Sequence, residues 1–218
     1  MKKYLCSVLG LLCTGISAMA QSPQKPNVIF ILADDMGYAD LSCYGHPQIR
    51  TPFLDRMAAE GFRGGSFMVS APSCTPSRAS FMTGRYPDHV KMPYAIAPGT
   101  PFGLNDSLLT VAKMFRRNQY QTMMIGKWHL GDQPNTKPLD HGFQHFFGML
   151  YSHDYQDPFV KTDTALAVFY DQQRVIEKPD YSKLMDLYTD SATAYIRRAA
   201  QSKQPFFSIS PTPCHTPP

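Results

Sequence analysis

No Cys-x-x-Cys pair occurs in this chain, and its five cysteines are scattered at Cys6, Cys13, Cys43, Cys74 and Cys214. That spacing excludes a zinc ribbon or finger and the dense framework of a small disulfide-stapled domain. No apolar run reaches the ~20 residues that a membrane-spanning helix needs. There is no basic cluster with interleaved aromatics, so nucleic-acid binding has no footprint here. Internal repeats and low-complexity tracts are missing as well. Charged residues make up only 17% against 43% apolar, which describes a globular chain rather than a disordered one. The 218 residues suffice for one domain with a substantial core, and a net charge of +4 points to no particular partner.

Residues 1–20 read as a secretory signal. Lys2 and Lys3 form a charged start, Tyr4 to Ile16 an apolar stretch, and Ala18-Met19-Ala20 a small-x-small cleavage site before Gln21. The stretch is too short for a membrane anchor, so no stable membrane insertion is expected. A lipoprotein at Cys13 fits poorly, because Leu12 precedes it. Residues 21–218 then form the mature chain, exported to the periplasm or beyond. Cleavage leaves Cys43, Cys74 and Cys214, an odd number that asks for a special role for one of them.

Strands and helices alternate along the mature chain. Asn27 to Leu32 is a continuous β-branched apolar run, read as a strand buried on both faces. Thr51 to Gly61 carries helix punctuation, with Thr51 as N-cap, Pro52 at the first position and Gly61 past the end. Pro76 to Met82 is expected to be a short helix, with Cys74 just before its N-terminus. Pro87 to Gly103 reads as a loop. Asp106 to Asn118 is a helix with Leu108, Val111, Ala112 and Phe115 on one face. Gln121 to Ile125 is a second strand. Leu139 to Tyr155 shows little regular pattern, and Val160 to Lys178 holds a short hairpin. Leu184 to Gln201 is a further helix, and Phe206 to Ser210 a third strand. Such alternation argues an α/β fold with a mostly parallel sheet and right-handed crossovers. Each strand runs into polar residues: Asp34 and Asp35, then Lys127 and His129, then His215. Ligands in open α/β sheets bind beyond the carboxyl ends of the strands, so these groups should converge on one edge.

Taken singly, each of these residues has an ordinary reading. Asp34-Asp35 offers two hard carboxylates for Ca²⁺ or Mg²⁺, but an isolated Asp-Asp is more often a solvated turn. A lone Cys74 is most often a small buried hydrophobe. Arg78 reads as a surface ion pair, and Lys127 and His129 as exposed polar groups beside a Trp-anchored turn. His141, His145 and His153 read equally well as structural.

Their arrangement changes the odds. The run Cys74-Thr75-Pro76-Ser77-Arg78, followed by Thr83-Gly84, resembles the central motif of the sulfatase family. Ala33-Asp34-Asp35-Met36-Gly37-Tyr38 and Gly126-Lys127-Trp128-His129-Leu130-Gly131 resemble two further blocks of that family, in the same order. The resemblance implies an alkaline-phosphatase-like α/β/α sandwich and hydrolysis of sulfate esters, in an aryl sulfate or a sugar sulfate. It implies that Cys74 is oxidised to formylglycine by a formylglycine-generating or sulfatase-maturing enzyme. By the same resemblance Asp34, Asp35 and residue 74 bind the metal, Ca²⁺ or Mg²⁺, and Arg78 holds the aldehyde hydrate. Lys127 is assigned to sulfate oxygens, His129 to the second hydroxyl of the nucleophile, and His215 to the leaving group. Ser152, in Tyr151-Ser152-His153-Asp154, resembles a substrate-side serine of the arylsulfatase branch. The partner is then a sulfated small molecule or glycan.

Two departures stand out. Cys214 precedes His215 where the family carries Pro. No Asp-Asn dipeptide is present, whereas the family completes its metal site with one and adds a second lysine on the sulfate. The resemblance therefore implies only the N-terminal part of a truncated catalytic domain, with little activity expected of these residues alone. A non-catalytic remnant and a phosphohydrolase of the same superfamily are the alternatives, and a cysteine hydrolase pairing Cys74 with His129 has no supporting motif.

Overall fold

The structure, a computed structural model, describes residues 24–155 and 166–212, without the side chains of 211–212. The expected signal segment and His215 lie outside the described residues.

The element order is β1 (Val28–Ala33), α1 (Pro52–Glu60), α2 (Cys74–Thr83), α3 (Val111–Arg117), β2 (Gln121–Ile125), β3 (His145–Gly148), β4 (Val168–Tyr170), β5 (Gln173–Ile176), α4 (Leu184–Ala200) and β6 (Phe206–Thr212). The six strands form one sheet in the order β1-β6-β2-β3-β4-β5. β1, β6, β2 and β3 pair in parallel, with Phe30 beside Ile209 and Met124 beside both Ile209 and Phe146. β4 and β5 form an antiparallel hairpin on the far edge. That hairpin lies within the stretch where one was expected. β3 is an addition: its His-Phe-Phe-Gly sequence is too short to show a period, and its pairing with β2 creates it.

Alternation along the strands sorts their side chains between two cores. Met124, Phe146, Phe207 and Ile209 face one layer with Ala79, Met82, Ala112 and Trp128, which come from α2, α3 and the segment after β2. Met123, Ile125, Phe147 and Phe206 face the other, under Leu184, Tyr188, Tyr195 and Ala199 of α4. The result is the three-layer α/β/α arrangement that the resemblance implied, built on the mostly parallel sheet that the alternation of elements predicts. Phe207 is stacked on Phe115 at 4.1 Å between ring centres and is fully enclosed. Truncating such a ring typically costs about 3–5 kcal/mol.

Four sequence expectations need correction. β1 is not buried on both faces: Phe30 stacks on Phe81 of α2, but Ile29 and Ile31 are 47% and 58% exposed. The reason is position, since β1 is the end strand of the described sheet and packs on one side only. Second, the helix expected from Asp106 begins at Val111. Thr110 takes the N-cap, accepting from the Lys113 N–H at 3.1 Å, while Lys113 Nζ donates to the carbonyls of Asp106 and Leu108 and holds that stretch as a turn. Third, Thr51 makes no side-chain capping bond to α1, its hydroxyl instead donating to Asp55 at 2.9 Å. Fourth, α2 starts at Cys74 itself, with Ser73 as N-cap, so the cysteine is the first residue of the helix rather than the one before it.

Candidate active site

Asp34 immediately follows β1, and Lys127 lies two residues past β2. Because β1 and β2 both run parallel to β6 between them, the two residues leave the same edge of the sheet. There they meet: Lys127 Nζ donates to Asp34 Oδ2 at 2.6 Å. Arg78 approaches from α2, its Nη2 3.3 Å from Asp34 Oδ1 and its Nη1 donating to the Lys127 carbonyl at 2.6 Å. Cys74 sits one turn before Arg78 on the same face of α2. It is a free, half-buried thiol close enough to act electrostatically on Arg78. Four expected site residues therefore gather at the predicted sheet edge.

The charges interlock. Burial works to raise the Asp34 pKa, but Arg78 and Lys127 together outweigh it and hold the carboxyl below its ordinary value. Burial likewise pulls the Arg78 pKa down, opposed mainly by Asp34. The guanidinium stays charged, since its unperturbed pKa is above about 12. Its Nε is buried without a hydrogen-bond partner among the described residues.

His129 is placed by a different set of contacts. Two residues apart, Lys127 and His129 would point the same way from an extended segment. Instead Gly126 and His129 have φ of 106° and 60°, and the chain is kinked at both. The segment is laced to the chain after β3: Gly126, Trp128 and His129 N–H groups donate to the carbonyls of Phe147, Met149 and Leu150. Lys127 is thus turned to Asp34 while the imidazole is turned to Ile96, whose carbonyl lies 2.9 Å from Nε2. A carbonyl only accepts, so Nε2 carries the hydrogen and Nδ1 keeps a lone pair. Nδ1 is buried and has no partner among the described residues. The rings of Tyr151 and Tyr155 flank the imidazole edge-on, at 5.4 and 5.1 Å. Burial, reinforced by Lys127, lowers the His129 pKa to about 4. The ring is therefore neutral at neutral pH.

Sequence reasoning passed over Thr75. It is fully buried, donates to the His129 carbonyl at 2.9 Å and accepts from Ile96 N–H, so it ties the start of α2 to the histidine segment. A threonine at a position where the motif admits any residue carries no signal. Tyr151 and Tyr155 were passed over too, though two tyrosines bracketing a Ser-His-Asp turn are a legible hint. Ser152, buried in that turn, lies between them. His141 packs against Trp128 and His145 pairs with Asp171, both outside the gathered residues.

The metal assignment does not fit the side chains as they stand. Among the described residues no three His, Cys, Asp or Glu side chains gather closely enough to hold an ion, so Asp34, Asp35 and Cys74 do not form a ligand trio. Both Asp34 oxygens already face cations. Asp35 is exposed with a left-handed φ of 53°.

Comparison with known proteins bears on the family and the fold. The chain is 36% identical to N-acetylgalactosamine-6-sulfatase of Rattus norvegicus over 92% of its length, covering 40% of that protein. It is 46% identical to arylsulfatase A of Homo sapiens over 60% of its length, covering 26% of that protein. Among solved structures it resembles Ps i-CgsB, with a TM-score of 0.78, 31% identity and coverage of 89% of this chain and 46% of that one. It also resembles BT4656 in complex with D-glucosamine-2-N,6-O-disulfate, with a TM-score of 0.65, 30% identity and coverage of 85% and 34%. The chain spans about 40% of the length of the first curated relatives it matches. The sulfatase family model matches residues 26–218, and the chain belongs to that family.

Proposed function

We propose that this chain carries the nucleophile end of a sulfate-ester hydrolase acting on sugar sulfates. The observation that carries the reading is the gathering of Cys74, Arg78, Asp34 and Lys127 at the carboxyl edge of the parallel strands. In this reading a maturing enzyme supplies the oxidant that converts the Cys74 thiol to the aldehyde of formylglycine. The hydrated aldehyde then offers a hydroxyl that forms the new O–S bond as the sugar C–O–S linkage breaks at sulfur.

The chain's own residues have defined tasks. The first backbone N–H groups of α2 and the Lys127 ammonium attract the sulfate oxygens. Arg78, buried one turn from residue 74, fixes the nucleophile and balances its charge. His129, neutral and with a free Nδ1 lone pair, is suited to take a proton from a hydroxyl at residue 74. His215 is assigned to protonate the departing sugar oxygen, and Ser152 to the substrate side. A divalent cation, Ca²⁺ or Mg²⁺, belongs to the reading through Asp34 and Asp35. No step is routed through it, because Asp34 is engaged by Lys127 and Arg78. Sugar sulfates are favoured over simple aryl sulfates because the matched relatives include N-acetylgalactosamine-6-sulfatase and a protein bound to D-glucosamine-2-N,6-O-disulfate. Export, from the residues 1–20 pattern, fits polymeric or extracellular sugars. Protein from the secreted fraction should begin at Gln21, and an intact mass retaining Met1 would contradict it.

The test is release of inorganic sulfate from N-acetylgalactosamine 6-sulfate and from an aryl sulfate, by protein co-produced with a formylglycine-generating enzyme. Cys74→Ala is the blank. Turnover that persists in Cys74→Ala would refute the reading.

A further inference from the structure

Because β1, β2 and β6 run in parallel, their first residues share the amino edge of the sheet, opposite the edge that gathers Asp34 and Lys127. The segments that lead into these three strands meet there and enclose a cleft of about 590 Å³. Lys25, Asn27, Asn118, Gln119, Lys203 and Gln204 line it, and among the described residues no aromatic ring does. The last turn of α3 brings Arg116 and Arg117 from one face of the sheet, and the last turn of α4 brings Arg197 and Arg198 from the other. Residues 24–28, 111–121 and 191–206 contain no Asp or Glu. All six cations are exposed, and among the described residues none of them is in an ion pair. Cations in a last turn answer the helix dipole. The two lysines lie outside the helices, however, and six like charges with no acid among them repel one another. The net charge of the chain is only +4, so it is the distribution that singles out this edge.

The amides give the cleft a second character. Asn27 Oδ1 accepts from the Phe206 N–H at 3.2 Å, and Gln204 Nε2 donates to the Gln119 carbonyl at 2.7 Å, so two amides brace the walls. The Gln119 side chain makes no hydrogen bond among the described residues, and its φ is 66°. A left-handed backbone is unfavourable for a residue with a Cβ and free for Gly, so folding alone is better served by Gly here. Amide side chains both donate and accept, which matches sugar hydroxyls, while ammonium and guanidinium groups match sulfates. Nucleic-acid bases stack on aromatic rings, which this lining lacks. We propose that the amino-edge cleft is a second, non-catalytic binding site for a sulfated glycan, with its cations on sulfates and its amides on hydroxyls. The choice of a sulfated glycan among polyanions rests on the sulfatase reading above, but the site makes no use of Cys74. It holds the polymer at the far end of β6, whose seven residues set it roughly 20 Å from the reacting edge.

The probes are dextran sulfate, unsulfated dextran and duplex DNA. Acetylation of Lys25 and Lys203 on the wild-type protein, read by peptide mass spectrometry, should slow about threefold when dextran sulfate is present at twice its dissociation constant. Lys178, exposed just beyond β5 at the other edge of the sheet, is the reference and should react at an unchanged rate. Unsulfated dextran and DNA should protect neither lysine at the same concentration. Two variants separate binding from folding. Arg197→Ser with Lys203→Ser should weaken dextran sulfate binding by about five- to tenfold, as two exposed ion pairs are lost. Gln119→Gly should keep or raise the thermal midpoint and still weaken binding. Equal protection by unsulfated dextran or by DNA, or full affinity in both variants, overturns the proposal. Protection of Lys25 and Lys203 in matured protein that releases no sulfate from any substrate refutes the catalytic reading and leaves this site standing.

Discussion

At the scale of single residues, the two most enclosed histidines illustrate how burial selects protonation. His129 and His141 both have pKa values lowered to about 4, chiefly by desolvation. For His129 the consequence is kinetic. A neutral base already free of its proton at pH 5 should give an acid limb of kcat/KM near pH 4, not near 6.5. His129→Ala should lower kcat/KM by about 10²–10⁴-fold; an acid limb at 6.5 in the matured enzyme would contradict the placement. For His141 the consequence is stability. The unfolded histidine takes up a proton as pH falls through 6.5, while the folded one resists until about 4. Stability is therefore present above 6.5 and is lost as pH falls across that window, by about 3 kcal/mol for this group. Urea midpoints measured from pH 7.5 to 4.5 should fall less steeply in His141→Gln. The residues of the three family-like blocks were legible because their identities are chemically specific. Thr75, Ile96 and Tyr155 were not, because their roles depend on a backbone carbonyl, a hydroxyl and a ring edge that meet only after folding.

At the scale of elements, the site is held by a close backbone crossing between the ends of β2 and β3. A Cβ built on Gly148 would sit 2.0 Å from the Gly126 carbonyl oxygen, a distance no side chain tolerates. Gly148→Ala must push the two segments apart and break the Gly126–Phe147, Trp128–Met149 and His129–Leu150 bonds that place Lys127 and His129. The expected outcome is a loss of well over about 2 kcal/mol, at the upper end of single substitutions, read as a lowered thermal midpoint or failure to recover soluble protein. Wild-type stability in Gly148→Ala would show that the crossing is not tight. Periodicity located β2, α4 and β6 well, since each is long enough to show its pattern. It failed for β3, whose four residues are all partly or fully buried. It also overextended α3, because Leu108 and Val111 share helical spacing although Thr110 is the stronger start signal.

At the scale of the whole molecule, the described chain is well packed on one side and open on the other. β1 ends the sheet with Ile29 and Ile31 outward, and α1 buries none of its residues, leaving Phe53 and Met57 73% and 61% exposed. Among the described residues Ile29, Ile31, Phe53 and Met57 are large apolar side chains left exposed, and such surface favours association with another chain. The 218-residue chain should therefore self-associate in a concentration-dependent way. Ile31→Lys should shift it toward monomer by size-exclusion chromatography with light scattering; a wild-type monomer at all concentrations would contradict this. The exposed face is where sequence reading failed most plainly: the apolar run of β1 reads as buried on both faces, whereas β1 ends the described sheet and leaves Ile29 and Ile31 exposed. The central claim, that Cys74 is the nucleophile's precursor in a sulfatase, is tested most directly by peptide mass spectrometry of the segment from Ser73 to Arg85. After co-production with a formylglycine-generating enzyme, residue 74 should carry an aldehyde that reacts with a hydrazide tag, and Arg78→Ala should reduce the yield. An intact thiol at Cys74 in every such preparation would contradict the account.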